Sequence, residues 1–350
     1  MGLAASLFLT GCLHLGPRSV ATDRFDYSTA IADSWKQQTL LNIVKLCYMD
    51  MPVFVDVASI VSGYSLETNL SAGVSRAETD SLGGDITSFG GSGRFTERPT
   101  ITYVPMTGEK FLTGLITPID PKNIFFMLQA GYAADFVLGL TVESLNGLRN
   151  RSASGGTWRA EEPDFVRVLE LLREAQNSGV FGMRVEEDKA KGSVGIVFLR
   201  NADVPAEVEA QTAEIRRLLH LRAGQERLVL SYSPVRGAED ELSVNSRSML
   251  QIMMAFATYV DVPEEHRLEH RTFPAANRSV LDEGHQSVRV HSGKERPKDA
   301  FVAVRYREYW FWIDDGDWQT KRALSAVMFF FTLANTGDGG KLPLITIPAQ

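Results

Sequence analysis

Cysteine is scarce in this chain: Cys12 and Cys47 are the only two in 350 residues. A disulfide framework is not needed, because 44% hydrophobic residues supply ample material for a core. Low cysteine usage suits an oxidising compartment, where stray thiols are a hazard. Cys47 sits in the apolar run Leu46-Cys47-Tyr48 and reads as a small buried hydrophobe, with a reactive or intermolecular thiol as the alternative. Long apolar runs are also missing. Beyond residue 12 no segment reaches the roughly 20 apolar residues of a spanning helix. The longest candidate, Ala323 to Ala334, is bounded by Lys321, Arg322 and Asp338. Positive charge is in deficit too. A net charge of -7 and a pI near 5.5 argue against nucleic acid as a partner.

Familiar catalytic signatures are absent as well. Met106-Thr107-Gly108-Glu109-Lys110 lacks the spacing of a phosphate loop. Gly83, Gly84, Gly90, Gly91 and Gly93 do not lead a strand into a helix, so a dinucleotide site is not expected. There is no G-x-S-x-G elbow, and Ser92 has glycine neighbours without that context. The carboxylate pairs Glu161-Glu162 and Asp314-Asp315 read as helix starts or solvated loops. His266-Arg267-Leu268-Glu269-His270 matches the inverted zinc-peptidase pattern H-x-x-E-H, but charges on every side and Pro263 and Pro274 mark it as a solvated connector. No catalytic, cofactor-binding or metal-binding residue is therefore assigned, and enzymatic activity is not the favoured expectation.

What is present begins at the N-terminus. The apolar run Leu3-Ala4-Ala5-Ser6-Leu7-Phe8 leads into Leu9-Thr10-Gly11-Cys12. This stretch resembles a bacterial lipobox, the signal at which a cysteine is lipidated and becomes the mature N-terminus. The resemblance covers the first dozen residues and implies lipidation at Cys12 and anchorage to a membrane. Leu13 and His14 carry no aspartate, which in Gram-negative lipoproteins implies export onward to the outer membrane, with the body in the periplasm. Met1 to Cys12 holds no Lys or Arg, so the basic lead of a secretory signal is expected upstream. A competing motif, Met1-Gly2-Leu3-Ala4-Ala5-Ser6, fits the shorter and less specific N-myristoylation pattern.

Residues 13–25 have Pro, Gly and Ser without periodicity and read as a tether. Hydrophobic periodicity then predicts helices over 28–48, 109–116, 123–130, 163–176, 205–219, 246–259 and 317–334. Strands are expected over 53–61, 136–142, 180–185, 194–199, 228–233, 242–245, 288–291, 301–313 and 344–347, with a helix as the alternative for 136–142. Strands and helices mix without strict alternation. The expected fold class is α+β, with mixed or antiparallel sheets packed with helices, in two parts: 26–200 and 201–350.

Two stretches stand out. In 65–104, Leu66, Thr68, Leu70, Ala72 and Val74 alternate with polar residues, a glycine-rich tip spans Asp80 to Gly93, and a return strand runs from Arg94 to Val104. The outgoing strand has the apolar face of a membrane-crossing strand, but Arg94, Glu97, Arg98 and Pro99 do not suit the return strand to that role, and a mobile surface loop or an arm that pairs with a neighbour is expected ahead of a membrane hairpin. In 301–313, a turn at Arg307-Glu308 places Val302, Val304, Tyr306, Tyr309, Phe311 and Ile313 on one face. Phe301, Ala303, Arg305, Trp310 and Trp312 take the other, with Arg305 expected to stack on Trp310. Cover by another part of the same chain is the simplest reading of that face; otherwise Arg305, Trp310 and Trp312 form a candidate interaction surface for a partner protein or ligand.

The expected role is a binding or structural one in a cell-envelope assembly. The expected partners are the membrane, through the N-terminal lipid, and an envelope protein or a second copy. An envelope hydrolase and a subunit of an oligomeric outer-membrane channel are the alternatives.

Overall fold

A computed structural model describes residues 19–61, 64–75, 86–97, 100–152, 159–188, 192–200, 204–272 and 288–335. The N-terminal dozen with Cys12, and the strand expected at 344–347, lie outside the described residues. Helices and sheets are present in mixed order, and the fold is α+β with antiparallel and mixed sheets. Two compact units divide the described residues: 19–34 with 54–106, and 35–53 with 107–335. The division expected at residue 200 is not where the chain parts. One six-stranded sheet takes strands from both sides of it.

The smaller unit holds a two-stranded ribbon. Strand β1 (Phe54–Val61) pairs antiparallel with β4 (Thr100–Met106), and β2 (Tyr64–Ser75) pairs antiparallel with β3 (Ile86–Glu97). The stretch from Ile86 to Gly93, expected to be a loop tip, is strand. Its glycines suit the ladder at Gly90, where a Cβ would stand 2.8 Å from Ser71 Oγ. Residues 100–105 of β4 are exposed on both faces.

The larger unit starts with the second half of helix α1 (Ser19–Cys47). Residues 19–25, expected to be tether, already belong to this helix. Leu40, Ile43, Val44 and Cys47 recur at helical spacing and are buried. Met49, at φ 60, ends the turn after the helix. Asn42 then clamps the exit, donating to Val53 O at 2.8 Å and accepting from Val53 N at 2.9 Å.

Helices α2 (Glu109–Ile116), α3 (Pro121–Gln129) and α4 (Ala134–Thr141) follow. In α3, Pro121 takes the first turn and Asp120 caps it, accepting from Lys122 N at 2.9 Å. Residues 136–142 read first as a strand, with a helix as the alternative. They lie mostly in α4, because Ala134, Val137, Leu138 and Thr141 are the buried set and share one helical face. A short apolar run satisfies both periods, and packing selects the helix.

Strands β5 (Val142–Leu145), β6 (Leu148–Arg149), β7 (Phe181–Asp188), β8 (Gly192–Leu199), β9 (Arg227–Tyr232) and β10 (Glu241–Ser246) make the sheet in the order β6-β5-β10-β9-β8-β7. Within this sheet β9 and β10 pair parallel and the other neighbours antiparallel. Helices α5 (Pro163–Asn177) and α6 (Ala206–Leu218) pack on one another; Phe165, Val168, Leu169, Leu171, Leu172 and Ala175 form the buried side of α5. Helix α7 (Met249–Ala257) begins at Ser248 rather than Ser246. Ser248 and Gln251 form a capping box, while Ser246 Oγ donates to Ile119 O.

A short helix α8 (Glu264–Leu268) precedes a three-stranded sheet of β11 (His291–Gly293), β12 (Ala300–Tyr306) and β13 (Tyr309–Asp314) in the order β11-β13-β12. Helix α9 (Trp318–Asn335) closes the described chain, with Leu324, Val327 and Phe330 fully buried. Among the described residues no helix is long and apolar enough to cross a membrane.

Candidate functional site

The 301–313 hairpin has the register its sequence predicts. Tyr306 pairs with Tyr309 across Arg307 and Glu308, whose φ values are 44 and 71. Both turn residues are thus left-handed, as a two-residue primed turn requires, although neither is Gly or Asn. Arg307 is held in that conformation by its side chain. Its guanidinium donates to Asp50 Oδ2 at 3.1 Å and lies 4.9 Å from the Tyr48 ring centre and 5.5 Å from that of Tyr306. Tyr306 also donates to Asp50.

The inner face is as expected: Val302, Val304, Tyr309, Phe311 and Ile313 are buried, and Tyr306 is half-buried. On the outer face, Ala303 stands opposite Trp312 and Arg305 opposite Trp310. Trp310 and Trp312 are half-buried and Arg305 is exposed. The cation over Trp310 is Arg296, at 5.3 Å, not Arg305. Lys36 and Lys321 flank the Phe301 ring at 4.7 and 4.9 Å. The His291 ring stacks on Trp312 at 5.5 Å, and Gly293 leaves room for that indole, since a Cβ there would come within 3.3 Å of it.

His291 joins this face to two carboxylates. Its Nε2 lies 3.1 Å from Asp314 Oδ2, and its Nδ1 3.8 Å from Asp261 Oδ2. Trp312 Nε1 donates to Asp314 Oδ1 at 2.9 Å, and Arg289 Nε to Asp261 at 2.8 Å. The face is therefore a ladder of indoles and cations fixed from behind by carboxylates. Indoles and guanidinium or ammonium groups pack favourably against aromatic rings and carboxylates in general.

The H-x-x-E-H pattern comes apart. Helix α8 ends at Leu268, and His270 follows at φ 54, exposed. His266 is not solvated, as its charged neighbours suggest, but buried. Its Nδ1 lies 2.7 Å from Tyr48 Oη, and its ring meets that of Tyr309 edge-on at 5.1 Å. Burial, reinforced by Arg271, pushes the imidazole pKa down, which favours the neutral ring. Burial likewise pushes the Tyr48 phenol up. Cys47 is buried beside it, its thiol pushed up to about 12 by desolvation, which disfavours the nucleophilic thiolate. The cluster ties the end of α1 to α8 and β13.

A second polar cluster was not legible in the sequence. Arg247 is buried, with Nε 3.1 Å from Glu143 Oε2 and Nη1 3.1 Å from Leu140 O in the last turn of α4. It also donates to Arg151 O. Arg159 reaches the other oxygen of Glu143 at 2.8 Å. Asn150 donates to Gly139 O and Val142 O at 2.8 and 2.6 Å. These groups satisfy the carbonyl end of α4, where the helix dipole favours a cation. Their work is structural.

Compared with protein-family models, with curated proteins and with solved structures, the chain matches none.

Proposed function

We propose that the chain is a lipoprotein of the bacterial envelope, anchored at the outer membrane through Cys12, with its body in the periplasm serving a binding role in an envelope assembly. The lipobox-like Leu9-Thr10-Gly11-Cys12 supports the anchor. The observation that carries the binding role is the outer face of β11-β13-β12, where two half-buried tryptophans and exposed Arg305 remain at the surface after the hairpin has packed. Trp and Arg dominate binding energy at interfaces because they combine large apolar area with directed polar contacts. The favoured partner is an envelope protein presenting carboxylates and aromatic rings.

A photo-crosslinking residue placed at position 305 in intact envelopes tests this. A discrete adduct is expected from 305 and not from exposed position 222. It should be lost in Trp310→Ala. Equal labelling from both positions, or an adduct that survives Trp310→Ala, contradicts the binding role.

A further inference from the structure

We propose that the β1–β4 ribbon is a membrane-spanning hairpin, and that copies of this chain pair edge to edge through it to close a β-barrel. The inference does not rest on lipidation of Cys12.

The ribbon keeps one register. Ser59 pairs with Thr102, Ile60 with Ile101 and Val61 with Thr100; the ladder resumes in step at Tyr64 with Glu97 and runs to Ser75 with Ile86. Directly paired residues share a face, so the register sorts β2 and β3 into two parities. One parity carries Tyr64, Leu66, Thr68, Leu70, Ala72 and Val74, with Thr87, Phe89, Gly91, Gly93, Phe95 and Glu97. Its single charge, Glu97, pairs with Tyr64 at the base end, where an interfacial tyrosine belongs. The other parity is Ser, Asn, Gly and Thr with one apolar residue, Ile86, and it places Glu67 directly opposite Arg94. Arg94, which made the return strand unsuitable in sequence, therefore belongs to the polar parity with a counter-charge across from it.

Dimensions agree. Each of β2 and β3 has 12 residues. At about 3.3 Å per residue and a tilt of about 45°, they span roughly 28 Å, against an apolar band of about 25 Å in membrane barrels.

The edges name the occupant. Each ribbon strand forms a ladder with one other strand only, among the described residues. Lipid offers no hydrogen bonds, so strands cross a bilayer only in a closed barrel. One chain supplies two strands, and the smallest such barrels have about eight. Closure therefore needs about four copies or more, the β2 edge of one meeting the β3 edge of the next in a head-to-tail ring.

Single cysteines in the full-length Cys12→Ala chain test this, because Cys47 is buried. Positions 66, 70 and 74, and positions 69, 71 and 73, are each labelled with a thiol fluorophore. The protein is mixed with vesicles of phosphatidylethanolamine and phosphatidylglycerol carrying nitroxide acyl chains. Quenching by the acyl nitroxides is expected at 66, 70 and 74, and quenching by aqueous iodide at 69, 71 and 73. Crosslinking in the vesicles should yield a ring of about four copies or more. A variant that melts below its parent is replaced by position 72 or 65 of the same parity. No alternation, or a species smaller than about four copies, overturns the proposal.

Discussion

Arg247 and Glu143 meet inside the larger unit, Nε to Oε2 at 3.1 Å, with the arginine buried. The pair links the residue after β10 to the middle of β5, and the guanidinium also closes the carbonyl end of α4. Burial lowers the guanidinium pKa and Glu143 opposes that shift, so the charge is retained by its partner. Arg247→Ala leaves Glu143 and the α4 carbonyls without this donor. An isolated change of this kind costs about 3–5 kcal/mol. Urea unfolding should show that loss, whereas Arg222→Ala, at an exposed site, should leave the midpoint unchanged.

His266 makes stability depend on pH. Its folded pKa lies below the ordinary 6.5, while the unfolded chain binds a proton near 6.5. The unfolded state therefore holds more protons as the medium acidifies through that window, and stability falls. The contribution of His266 is complete above about pH 6.5 and is lost as pH drops toward the folded value. Urea midpoints measured from pH 8 to pH 5 should decline, and the decline should flatten in His266→Gln. An unchanged slope in that variant would remove His266 as the cause.

The Ser248 cap is a separate small contribution. Ser248 and Gln251 satisfy two backbone donors at the start of α7, with Gln251 N to Ser248 Oγ at 3.3 Å and Ser248 N to Gln251 Oε1 at 2.8 Å. Ser248→Ala should cost about 1 kcal/mol in denaturant unfolding. Ser246→Ala removes the Ile119 contact instead and should leave the isolated 245–260 peptide's helicity unchanged.

The outer face of the three-stranded sheet should be cheap to alter. Exposed Arg296 lies over half-buried Trp310, a cation–π pair worth about 0.5–1 kcal/mol. Arg296→Ala should shift the thermal midpoint little. Gly293→Ala differs, because a Cβ would press on Trp312 at 3.3 Å, and it should change the tryptophan emission of the folded protein.

The sequence revealed elements whose period was unambiguous. The 301–313 hairpin was legible because two apolar parities meet at a turn, and α5 because its apolar residues keep helical spacing over four turns. Helix α4 was legible only as the second reading, after a strand, because Phe136, Leu138 and Leu140 alternate by chance within a helical set. Strand β3 was hidden by its glycines, which mimic a loop tip until the register with β2 is known. The cap at Ser248 had a local signal, Ser followed three residues later by Gln. The Arg247 cluster had none, since its partners are carbonyls of α4 brought near by tertiary packing. The boundary at residue 200 failed because strands on either side of it share one sheet.

The anchor at Cys12 is tested most directly by metabolic labelling with a palmitate analogue in a Gram-negative host, followed by separation of inner and outer membranes. The unaltered chain is expected to carry label and sediment with the outer membrane, and Cys12→Ala to carry none and appear in the soluble fraction. Label that persists in Cys12→Ala, or an unaltered chain that is unlabelled and soluble, would contradict the lipoprotein assignment.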